Sequence, residues 1–133
     1  MFEWKNSYSI GIDSIDAEHQ ALFAIAAELH AALSAGQAKD ALTRIVDRLV
    51  LATCNHFVHE ESLMQLHHHP DYVTHRAEHD ELARQVARFS TEFKNREDSV
   101  SPDLLDPLHA WLEQHMLGSD RKFLPSQFGR AVA

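Results

Sequence analysis

His56 to His79, HFVHEESLMQLHHHPDYVTHRAEH, is the stretch that decides how the rest of the chain reads, with seven of the protein's eleven histidines. Two pairs within it matter most, His56 with Glu60 and His75 with His79. Each pair is four residues apart, so on a helix both members share one face about one turn from each other. Pro70 and Asp71 separate the pairs and read as a turn. Two helix ends therefore meet at a corner, each presenting two side chains able to bind a metal. The remaining chain is expected to bring two more helices to the same place.

Working outward, the apolar positions before and after this corner keep helical spacing. The second helix, expected over about residues 38–66, has the stripe Leu42, Ile45, Val46, Leu49, Thr53, His56, Phe57, Glu60, Leu63 and Met64. His56 and Glu60 thus stand on the buried face, and a buried carboxylate without a partner is very costly. The third helix, about 71–94, carries Tyr72, His75, His79, Leu82, Val86, Phe89 and Phe93. The first, about 17–34, is read as capped by Asp16 and ended by Gly36. Its stripe runs Leu22, Phe23, Ala26, Leu29, Leu33, with His19 three residues before Leu22. The fourth, about 103–123, opens at a Ser-Pro or Asp-Pro start and carries Leu105, Leu108, Trp111, Leu112, His115 and Met116. Residues 1–15 are aromatic and apolar without helical period and read as an extended arm.

Four amphipathic helices with short connections predict an all-α, antiparallel up-down-up-down four-helix bundle with an N-terminal arm, one domain over residues 1–133. In that arrangement the starts of helices one and three lie level with the ends of helices two and four. His19, His56, Glu60, His75, His79 and His115 all fall at that level. Asp120 is harder to place: five residues after His115, it points about 140° away on an ideal helix. It reaches the same site only if the helix loosens near Gly118 or bends inward.

Other candidates read more plainly. His59 and Glu61 lie off the stripe, as solvent-facing or outer partners of the site. His67, His68 and His69 read as a polar turn. His30 is about 16 Å along the helix from His19, too far for the same site. His109 is off the face of His115, and Cys54 reads as a small packing residue.

Composition narrows the function. The 133 residues and 44% apolar content suit one globular domain. The net charge of −8 disfavours nucleic acid and anionic membrane as partners. No secretory signal or membrane span is visible, and the single cysteine fits a reducing compartment, so a cytoplasmic location is expected. Five imidazoles and two carboxylates exceed what one tetrahedral zinc takes. An almost thiolate-free set suits iron, manganese, copper or zinc, and its size suggests two ions. Two octahedral ions offer about twelve positions, and this set with one bridging oxygen fills all but one.

These residues resemble those of hemerythrin, and more closely of the single-domain bacteriohemerythrins. The resemblance rests on GIDSIDAEHQALF around His19, HFVHEESLM around His56 and Glu60, HRAEH around His75 and His79, and WLEQHMLGSD through His115 and Asp120. It spans nearly the whole chain and fills all seven ligand positions. It implies a non-haem di-iron centre, its irons bridged by an oxo or hydroxo group, that binds O2 reversibly for storage, delivery or buffering. By position, His75, His79 and His115 would hold the coordinatively full iron, and His19 and His56 the iron with an open site. Glu60 and Asp120 would bridge, and Phe57, Trp111, Leu112 and Met116 would line the O2 pocket. The alternatives are O2, NO or redox sensing through a separate protein partner, and a peroxidase-like di-iron activity. The histidine-rich set favours a binding protein over an enzyme, since ferritin-like di-iron oxidases use more carboxylates.

Overall fold

Amphipathic periodicity builds four helices: α1 (Asp13–Ser34), α2 (Lys39–Leu66), α3 (Tyr72–Asn95) and α4 (Asp106–Gln114). The computed structural model describes residues 2–96 and 101–120, and of Leu117, Ser119 and Asp120 only the backbone. Among these residues there is no strand, and the fold is an all-α four-helix bundle. A short 3-10 turn, Asn6–Tyr8, interrupts the arm, and another, Pro102–Leu105, leads into α4. The chain then continues from α4 as a π-helical turn, His115–Asp120. The expected run of the fourth helix to about 123 falls partly outside the described residues.

The helix ends show why the chain turns where it does. Gly36 takes a φ of +68°, and the amides of Gly36 and Gln37 bond back to the carbonyls of Leu33 and Ala32. This is a Schellman motif, which occupies carbonyls that the helix leaves open. The histidine triplet makes the same motif after α2. His68 adopts a φ of +53°, and the amides of His68 and His69 bond to Gln65 and Met64. The expected polar turn is therefore a helix cap with a histidine where glycine is commoner, and His69 is buried within it.

Asp16 departs from its expected role. Helix α1 begins earlier, at Asp13, and Asp16 lies in its first turn. There its carboxylate accepts the Ile10 amide (2.9 Å) and the Ser9 hydroxyl, so it pins the arm instead of capping the helix. The arm is correspondingly shorter than residues 1–15. Cys54 is also corrected: it is exposed, because a position two residues from the inward His56 faces outward.

Two apolar clusters result. The larger contains Leu22, Phe23, Leu29, Leu42, Val46, Phe93 and Leu105, with Phe2 and Tyr8 of the arm packed into it. Tyr8 stacks on Phe23 (5.2 Å, 22° between planes). The smaller contains Ile10, Ile12, Ile15 and Met64, with Leu63 and Tyr72 against it. Ile15 is one turn before His19, Met64 one turn beyond Glu60, and Tyr72 just before His75. The smaller cluster therefore closes the bundle end beyond the histidines, which lie between two apolar layers.

Candidate metal centre

Glu60 is the centre of the site. It is wholly buried on α2, and its two carboxylate oxygens face different histidines. Oε1 lies 2.5 Å from His56 Nε2 and 3.5 Å from the Nε2 atoms of both His19 and His115. Oε2 lies 3.0 Å from His79 Nε2 and 3.1 Å from His75 Nε2. His19 and His56 also face each other, Nε2 to Nε2, at 3.0 Å. Six of the seven sequence candidates thus come together, contributed by α1, α2, α3 and the start of the π-helical turn.

The six side chains are 0–3% exposed. Burial alone would push the Glu60 carboxyl up, but the imidazoles of His56, His115 and His19 outweigh it and hold that carboxyl well below the usual carboxylate range. An anionic centre ringed by neutral-capable imidazoles, with their Nε2 atoms converging, is the donor set a borderline transition metal takes. Two groups sharing Glu60 have ligand atoms within 4.8 Å of one another: His19, His56, Glu60 and His115, and Glu60, His75 and His79. The residues fit a metal ion in either group.

His115 stands between the two sets. Its Nε2 is nearest to Oε1, on the His19 and His56 side, yet its ring is 5.2 Å from that of His79 against 5.7 Å for His56. The π-helical turn bears on the awkward spacing of Asp120. Its i→i+5 hydrogen bonding widens each turn, so a residue five along comes back towards the face of the first. The side chain of Asp120 lies outside the described residues.

Around the imidazoles lies a second set of contacts. The Nδ1–H of His56 donates to Glu18 Oε1 (2.7 Å), and that of His59 to Glu18 Oε2 (2.6 Å). His79 Nδ1–H donates to Glu61 Oε2 (3.0 Å), whose other oxygen is 3.7 Å from Arg76 Nε. Glu18 is partly buried, which would raise its carboxyl, but the bonds and charges of His56 and His59 prevail and lower it. Sequence reasoning placed His59 and Glu61 at or outside the rim and missed Glu18. Its one signal is that it adjoins His19, which does not separate it from a solvated acid on the outer face of α1.

One side of the site is apolar. Phe57 stacks on His79 (4.2 Å, 11°), and Trp111 lies edge-on to Phe57 and parallel to His115. Leu112 and Met116 are buried in the same cluster as these two aromatic rings.

A family model described as the hemerythrin HHE cation-binding domain matches residues 10–126. The chain belongs to the hemerythrin family. Among curated hemerythrin relatives, it is 32% identical to a bacteriohemerythrin of Stenotrophomonas maltophilia over 90% of this chain and 77% of that one. It is 31% identical to a bacteriohemerythrin of Clostridium acetobutylicum, over 93% and 99% of the two chains. A crystal structure of wild-type hemerythrin superposes with a TM-score of 0.83 at 24% identity, covering 98% of this chain and 96% of that one, which bears on the fold.

Proposed function

We propose that the cluster holds two iron ions joined by an oxo or hydroxo bridge, and that the protein binds O2 reversibly for storage, delivery or buffering. The observation that carries this reading is Glu60, whose two oxygens each face a separate set of histidines. A carboxylate so placed suits a bridge between two ions better than a ligand to one. His19 and His56 would serve the iron with the open position, and His75, His79 and His115 the full one. The widened turn supports Asp120 as a second bridge. When bound, the iron pair supplies O2 with two electrons and takes them back on release.

The chain's own residues decide that release is clean. Phe57, Trp111, Leu112 and Met116 would form a dry wall, and the Ile10–Met64 cluster closes the bundle end. Excluding water and protons keeps bound O2 from leaving as peroxide. The lone, exposed thiol of Cys54 suits a reducing cytoplasm, and we place the protein there. No helix among the described residues is long and apolar enough to cross a membrane.

The test is anaerobic loading with ferrous iron, admission of O2 and removal of O2, followed by optical absorption. A charge-transfer band that appears and vanishes over repeated cycles is expected. A band that bleaches once, with peroxide released, would identify an oxidase.

A further inference from the structure

We propose that Glu18 and Glu61 are positioning residues, each bracing one metal position, so that the two positions can be weakened separately. The proposal rests on the two-ion reading above. A ligating imidazole offers one nitrogen to the metal, and the bond made by its other nitrogen fixes the tautomer and the ring direction. Glu18 accepts the Nδ1–H of His56, leaving Nε2 with its lone pair towards Glu60 Oε1. Glu61 accepts the Nδ1–H of His79, leaving that Nε2 towards Glu60 Oε2. The two braces therefore serve opposite oxygens of the shared carboxylate.

They are also mechanically separate. Glu18 reaches from α1 to α2, and Glu61 from α2 to α3. Each is held on its outer side by a different group: Glu18 by His59 Nδ1 at 2.6 Å, Glu61 by Arg76 Nε at 3.7 Å. The side chains of Glu18 and Glu61 are 33% and 20% exposed, so an isosteric amide at either position opens no void in the core. Loss of such an outer partner typically weakens metal binding about 10- to 100-fold. Here the loss should fall on one ion.

The experiment is anaerobic titration of the full chain with cobalt(II), followed by its visible absorption and by equilibrium dialysis, for wild type, Glu18→Gln, Glu61→Gln and the double variant. Helix content of each metal-free protein is checked by circular dichroism. Wild type should take up two cobalt ions per chain. Each single variant should keep one binding step at wild-type affinity and lose about 10- to 100-fold in the other. The double variant should lose affinity in both. A double variant that keeps one wild-type step would show that both carboxylates act on the same ion, and single variants that alter both steps alike, or neither, would equally overturn the proposal. Fewer than two ions in wild type would instead overturn the two-ion reading. Should Glu18→Gln not fold, His59→Gln removes the outer anchor of Glu18 while leaving its bond to His56. It should weaken one step only, and an equal effect on both or none on either would contradict the proposal.

Discussion

Where α1 ends and α2 begins, the inward positions are Leu29, Leu33, Leu42 and Ile45, in one buried cluster with Phe93 of α3. Towards the other ends of the same helices, the inward positions are His19, His56, Glu60, His75 and His79. The periodicity is continuous between the two regions, but the energetics differ in kind. Each buried Leu, Ile or Phe at the apolar end contributes about 1.5–3 kcal/mol from removal of its surface from water. At the histidine end a whole carboxylate is taken out of water, at an effective cost of several kcal/mol, and the imidazoles of His56, His115 and His19 have to outweigh that cost. The apolar end and the arm hold the bundle together by burial; the histidine end depends on its own polar partners and gains further stability when metal binds.

That contrast can be broken in four places. Replacing Glu60 with Gln removes the shared ligand, and iron uptake should fall by more than the roughly 100-fold typical of an outer partner. Metal-free thermal stability at neutral pH should fall, because a carboxyl held below its ordinary range in the folded state contributes stability there. An unchanged or higher metal-free melting temperature would show that the imidazoles do not outweigh the burial of Glu60. At the opposite end, Phe93→Ala should cost about 3–5 kcal/mol in chemical denaturation of the metal-free protein. The folded variant should still bind two ions.

A smaller effect is expected at the corner between α2 and α3. His68 holds a left-handed backbone that suits glycine, so His68→Gly should stabilise the protein by about 1 kcal/mol without changing metal content. A loss of metal would mean that the triplet contributes to the site. The smallest effect belongs to the arm. Tyr8 donates its hydroxyl to Glu113 Oε2 at 3.0 Å, and burial, then Glu113, push its phenol above the ordinary value. The folded state thus resists ionisation of Tyr8, and its contribution, intact below about pH 10, is lost as pH rises through the folded value. Denaturation between about pH 9 and 11 should show a shallower alkaline loss in Tyr8→Phe. An unchanged slope would argue that the arm is not held there.

Much of this contrast is legible in the residues alone. Stripe positions occupied by His56 and Glu60 mark them as buried, and antiparallel helices bring His19, His75, His79 and His115 to their level. What escapes sequence reasoning depends on local geometry. Asp16 looks like a helix cap, but its carboxylate bonds back to Ser9 and Ile10. The five-residue step from His115 to Asp120 departs from α-helical spacing and calls for a loosened helix near Gly118, but that the loosening takes the form of a π-helical turn is seen only in the backbone. Glu18 sits on a half-exposed face where most acids are merely solvated, and its bond to His56 depends on how closely α1 approaches α2.

The most direct measurement is an anomalous difference map, recorded at the iron absorption edge, from crystals of the iron-loaded protein. Two peaks of comparable height on either side of the Glu60 carboxylate are predicted, one against His19 and His56 and one against His75 and His79. A single peak, or iron seated away from Glu60, would contradict the account.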